Sequence, residues 1–224
     1  MALTTSPKTT AEMMREICFA DAPIATWRPV SAEASHVEPW ASFERARQCA
    51  MRHDRRGVME ALLRVVYQPN LESRLYLQAW NGLREIGVNP PPEMAKHLYG
   101  VVVEIDGPDG LEVLAVYTDH TARHIDANGK VTCSKGQGVW MDRKIDELLT
   151  AGRSILAVAK PWEGQRPAAV ANGQVRINLL TSSGLCCGQG MWEALARDSR
   201  GNAVLGATER VMDAMGKLPV GSRR

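Results

Sequence analysis

The hydrophobic period of this chain changes at a triple proline, Pro90-Pro91-Pro92, and that change limits the fold more than any other feature. Upstream, apolar residues recur at helical spacing. One stripe is Trp40, Phe43, Ala46 and Ala50; a second is Val58, Met59, Leu62, Leu63, Val65 and Val66, ending before Pro69. A third is Leu71, Leu75, Ala79 and Leu83, with Leu77 and Trp80 beside it. Asn70 is the predicted N-cap of this third helix, and Gly87 the left-handed residue that ends it ahead of Pro90. A capping box at Thr9 and Glu12 predicts an earlier short helix. Residues 21–39, with three prolines, read as an extended segment pinned by Ile24 and Trp27.

Downstream the period falls to two. "YGVVVEI" (99–105) and "LEVLAVY" (111–117) read as strands joined by the turn "DGPDG". After a tight turn at 118–121 comes a strand at 122–126, and Asn128-Gly129 is a strong hairpin signal that leads to Val131–Cys133. Connections this short force antiparallel pairing. Asp142 is the predicted cap of a helix carrying Ile145, Leu148, Leu149, Gly152, Ile155 and Leu156, closed by Pro161. A polar loop (161–173) precedes strands at Val175–Leu180 and Leu185–Cys187, then a short helix over Met191–Ala196 and a longer one after Asn202. The order predicts an α+β fold: an antiparallel sheet of about five or six strands with covering helices, similar in outline to profilin-like and roadblock modules. A small helical unit precedes it. The predicted domains are an N-terminal helix and extended segment (1–39), the helical unit (40–92) and the α+β sheet domain (93–224).

With 45% hydrophobic residues the chain can bury a large core. Lys and Arg number 27 against 25 Asp and Glu, evenly along the chain, so there is no basic stripe of the kind nucleic-acid binding demands. The first twenty residues lack a basic then apolar leader pattern, and no stretch approaches eighteen consecutive apolar residues. Five cysteines, Cys18, Cys49, Cys133, Cys186 and Cys187, are scattered without C-x-x-C spacing, which reads as reduced thiols. The expectation is a cytoplasmic protein that binds neither membrane nor nucleic acid.

The chemistry-bearing candidates are few. Within "GLCCGQG" (184–190), strand geometry sends Cys186 and Cys187 to opposite faces. The alternative makes Cys187 a nucleophile, with His124 or His120 as base and Asp126 or Asp119 orienting it. "HTARH" has an H-x3-H spacing, but in an extended chain His120 and His124 lie about 13 Å apart, too far for one ion. A metal site would have to use His124, Cys133 and another thiol. The glycine clusters "KGQGVW" and "GQG" lack a phosphate-loop pattern and read as turns from sheet to helix. No cofactor is expected. Six tryptophans against two phenylalanines lie near element ends, and Trp27, Trp80 and Trp140 are the interface candidates.

The "YLQAW" helix, the proline step with "GVVVEI", and the "LAVYTD…ARHI" hairpin, within residues 70–130, resemble a family of uncharacterised bacterial proteins, with looser similarity through "RINLLTSSGLCCGQG". The resemblance implies a bacterial cytoplasmic origin and no known activity. Asp119-His120 stands where that pattern implies Asp-Gly, which makes His120 a local turn substitution. The functional expectation is a non-enzymatic protein–protein interaction or adaptor component of a bacterial cytoplasmic assembly, with homo-oligomerisation left open. The alternatives are a cysteine-nucleophile enzyme (Cys187 with His124) and a ligand-sensing regulatory domain, which would need a concave pocket between sheet and helix.

Overall fold

The computed structural model describes residues 9–27, 31 and 33–217. Its centre is a six-stranded, wholly antiparallel open sheet with an α+β element order. The strands are β1 (Leu98–Gly107), β2 (Gly110–Tyr117), β3 (Ala122–Ile125), β4 (Val131–Ser134), β5 (Gln174–Thr181) and β6 (Gly184–Met191). They run β4-β3-β2-β1-β5-β6 across the sheet. A helical unit precedes the sheet: α1 (Thr10–Arg15), α2 (Trp40–Met51), α3 (Arg55–Tyr67), α4 (Ser73–Glu85) and the single turn α5 (Pro92–Ala95), with 3-10 turns at Glu16–Cys18 and Glu33–His36. Then α6 (Val139–Leu156) joins β4 to β5, and α7 (Trp192–Arg197) and α8 (Ser199–Gly216) follow β6. None of the described helices is long and apolar enough to cross a membrane.

Helices cover both faces, and this explains the unbroken apolar run in β1. Val101 and Val103 point into a core shared with α6 and α8, while Val102 points into one shared with α2, α3 and α4. A strand buried on both sides cannot alternate apolar with polar. The four-strand meander ends at one sheet edge, so α6 must carry the chain back across the sheet to place β5 beside β1. At about 1.5 Å per residue its 18 residues cover roughly 27 Å, enough for that return.

Several local expectations are corrected. Asn70 does not cap α4; it takes a left-handed turn (φ 59°), which asparagine tolerates. The first turn of α4 is capped from the sheet instead, where Asp119 Oδ2 accepts the Ser73 N–H at 3.0 Å and Ser73 Oγ accepts the Asp119 N–H at 3.1 Å. Asp142 lies inside the first turn of α6, whose N-cap is Gly138. That helix ends at Leu156, and Pro161 forms a bridge with Cys186 rather than the helix stop. The last helix starts at Ser199 because Asp198 caps it through the Arg200 and Gly201 N–H groups. "GQG" (188–190) is strand, not turn: β6 keeps pairing with β5 as far as Met191 because the ladder satisfies its backbone. The Schellman stop of α4 is as expected, with Val88 N–H donating to Leu83 O and Gly87 at φ 74°.

The β3–β4 hairpin lies where Asn128-Gly129 places it, but it closes differently from a two-residue turn. Asp126 Oδ1 accepts from the Asn128 and Lys130 N–H groups, and Gly129 takes φ 79°. A Cβ at Gly129 would stand 2.5 Å from Thr10 Cγ2 and 3.0 Å from the Thr10 carbonyl carbon. The glycine therefore lets α1 rest on the hairpin. Gly129→Ala combines left-handed strain with this clash and is expected to cost about 2 kcal/mol or more, read as a lower urea midpoint at unchanged m-value.

Candidate functional site

The pleat of the sheet separates the groups that sequence reasoning proposed to join. Residues directly opposite on antiparallel strands share a face. Cys187 faces Asn178, which faces Val102, on the side of the N-terminal helices. His124 faces Leu114, on the side of α6 and α8. Three strands also lie between β3 and β6, so the two residues are roughly 19 Å apart at about 4.8 Å per strand, on opposite surfaces. His124 Nε2 is instead hydrogen-bonded to Glu112 Oε2 at 3.2 Å. Asp126 serves the hairpin turn. His120 sits in the β2–β3 turn at φ 58°, the backbone a glycine would favour, with its Nε2 3.0 Å from Asp146 Oδ1.

Metal binding fares no better. Cys133 is exposed and opposite Arg123, so it points away from the face of His124. Among the described residues no group of three His, Cys, Asp or Glu side chains could hold an ion. Cys186 is buried against α6 and α8, as the alternation in "LCC" requires. Burial pushes the Cys187 thiol above its ordinary range, with Arg176 opposing and Glu104 adding to the rise. A nucleophilic thiol needs the reverse shift.

The tryptophans divide. Trp80 is 2% exposed in the centre of the core, so it cannot meet a partner; its helix position points inward, a fact that placement near an element end does not convey. Trp27 stacks on Trp40 at 6.0 Å and against Phe43 at 5.8 Å. Trp140 is 47% exposed in the first turn of α6.

What the structure does assemble is a cleft of about 1000 Å³ that sequence reasoning missed. One wall is the chain from Glu16 to Trp27; the others are α4, the β5–β6 turn and the start of the 161–173 loop. Helix α4 presents Arg74, Leu77, Asn81 and Arg84, spaced i, i+3, i+7 and i+10 along one face. The segment is fixed to this helix by Gln78 Nε2, which donates to Ala22 O at 2.6 Å. Arg84 donates to Ser182 O at 2.6 Å and to Asn81 Oδ1 at 3.3 Å, both neutral oxygens. Desolvation pushes its pKa down, opposed by the more distant Glu85 and Asp21.

Buried charges hold the remaining walls. Glu104, wholly buried in β1, accepts from Arg15 Nε at 2.7 Å and Nη2 at 3.0 Å, and from Asn178 Nδ2 at 2.8 Å. Arg15 also donates to Pro167 O, and Arg176 to Ala168 O, so two arginines tie the loop to the sheet. Arg166 pairs with Asp21 and Glu16 and lies over the Phe19 ring at 4.0 Å. Tyr117 Oη donates to Cys18 O at 2.6 Å, anchoring the adjoining turn. The available signals were polar residues in apolar elements: Glu104 in "GVVVEI", Asn178 in "RINLL", and arginines on the flank of the α4 stripe.

Glu104→Gln takes the two-pronged carboxylate from buried Arg15, leaving it only the more exposed Glu16 carboxylate at 3.6 Å, and is expected to lower unfolding free energy by about 3 kcal/mol, measured by urea titration. Replacing both partners, Arg15→Met with Glu104→Leu, should recover most of that loss. In iodoacetamide labelling at neutral pH followed by peptide mass spectrometry, Cys133 should react first. Cys187, and Cys18 with its thiol pushed up to about 12 by burial, should lag at least about ten-fold. A fast Cys187 would reinstate the nucleophile reading.

Compared with known proteins, the chain matches no family model, no curated protein and no solved structure.

Proposed function

We propose that this protein is a non-enzymatic recognition domain that binds a small ligand in the cleft beside α4, in a sensing or regulatory role. The observation that carries this reading is the cleft itself. Its volume is at the upper end of the range for small-molecule sites, and its walls are held by the buried Arg15–Glu104 pair and the partly buried Arg166–Asp21 pair. The cysteine-nucleophile reading has no such support, because its members lie on opposite faces of the sheet. A bacterial cytoplasmic setting belongs to the same proposal, supported by the resemblance of residues 70–130 and by five free thiols.

The adaptor reading keeps one specific support. Val139 (68% exposed) and Trp140 form an apolar pair at the start of α6, on the sheet face away from the cleft. A partner protein bound there would leave the cleft free, so the two roles are compatible.

Occupancy is tested with the low-molecular-weight fraction of a bacterial cell extract. A ligand at about 100 times its Kd stabilises by about 2.7 kcal/mol, which corresponds to a melting-temperature rise of roughly 5–10 °C for a chain of this length. Ser183→Trp, which fills the cleft from the β5–β6 turn, should abolish the rise while leaving the ligand-free melting temperature close to that of the parent. A rise that survives Ser183→Trp would place the ligand elsewhere and sink the reading.

A further inference from the structure

The cleft is chemically lopsided. Among the described residues, five charged side chains line it: Glu16, Asp21, Arg74, Arg84 and Arg166. Both carboxylates are engaged by Arg166. Neither Arg74 nor Arg84 has a carboxylate within ion-pair distance among the described residues. Guanidinium carries five N–H donors in a planar fork, and among the described residues Arg84 makes two bonds, both to neutral oxygens. The buried Arg74 Nε and Trp27 Nε1 atoms have no hydrogen-bond partner among the described residues. A desolvated cation without a counter-charge is costly, and an incoming anion removes that cost.

The second element is aromatic. Trp162, 46% exposed, lines the cleft on the strand side, where its backbone N–H donates to Leu185 O at 2.7 Å. Arg84 reaches the same turn, with its Nε 3.6 Å from where a Gly184 Cβ would stand. A half-exposed indole, its Nε1–H donated to Gln165 O, and an under-paired guanidinium thus flank one short hairpin, Thr181 to Leu185. An aromatic surface favours a planar apolar body, and a guanidinium fork favours carboxylate, sulfonate or phosphate oxygens.

We propose that the cleft binds an organic anion with a planar apolar body, its acidic oxygens on Arg84 and its ring against Trp162. This rests on the ligand-binding reading above and adds the ligand's chemical class. Arg74, ten residues earlier on the same helix face, lies about 15 Å away at 1.5 Å per residue, and defines the far end of the site.

The probes are 8-anilinonaphthalene-1-sulfonate, a planar aryl anion, and N-phenyl-1-naphthylamine, the same skeleton without the charge. Each is titrated into the full chain and read by quenching of tryptophan emission. The sulfonate should bind about ten-fold tighter, the worth of one charge-assisted hydrogen bond. Arg84→Met should erase that preference, and Trp162→Ala should weaken both probes, with the near-ultraviolet circular dichroism of the folded chain retained. If Arg84→Met does not fold, the parent chain decides: added salt should weaken the sulfonate and leave the amine unchanged. Displacement by 1-naphthoate or by 1-naphthyl phosphate then tells which acid is preferred, and either supports the assignment. Equal affinity for the two probes, or a preference insensitive to both Arg84→Met and salt, overturns the anion assignment while ligand binding stands. Failure of both probes to bind overturns the ligand-binding reading as well.

Discussion

A single buried carboxylate organises this molecule. Glu104 lies in the central strand between Val101–Val103 and Ile105, and a carboxylate there is untenable unless its oxygens are satisfied. Arg15 supplies a two-pronged partner, Asn178 supplies a donor from the next strand, and Arg176 stands 3.6 Å off. The demand of Glu104 for donors therefore draws α1 and β5 to one point. Through the remaining donors of Arg15 and Arg176 it also draws in the 161–173 loop. Those contacts build two walls of the cleft before any ligand is considered.

The pleat acts as a second constraint, and it works by separation. Side chains on one strand alternate faces, so Cys186 enters the α6/α8 core while Cys187 lies on the other face of the sheet, and His124 shares a surface with neither Cys187 nor Cys133. Reactive groups that are near in sequence, or that form a familiar spacing such as H-x3-H, are thereby kept apart. The cationic face of α4 is the opposite case. Arg74 and Arg84 are ten residues apart in sequence, yet helical repetition and the approach of the 16–27 segment set them along one concavity. Local periodicity disperses the thiols and collects the arginines.

The legible parts were those whose cause is local. The Schellman stop at Gly87, the capping box at Thr9, the short turns that force antiparallel pairing, and the alternation in "LCC" each depend on a few neighbouring residues. Element starts were less legible where the cap comes from far away: α4 begins at Ser73 because Asp119 accepts its N–H from 46 residues further along. β6 runs through "GQG" because β5 is long enough to pair with it, a condition that no glycine pattern encodes. Trp80 illustrates the same limit, since a residue beside a helical stripe is inward or outward according to what packs there.

By itself, then, the order of residues determined an antiparallel α+β sheet with covering helices, because hydrophobic period and turn length are properties of adjacent residues. Only the tertiary structure decided the cleft and its charge. The distant partners of Glu104, Arg166 and Arg84 are 89, 145 and 98 residues away along the chain, and contacts at that range exist only once the sheet has formed and the loop has folded over it.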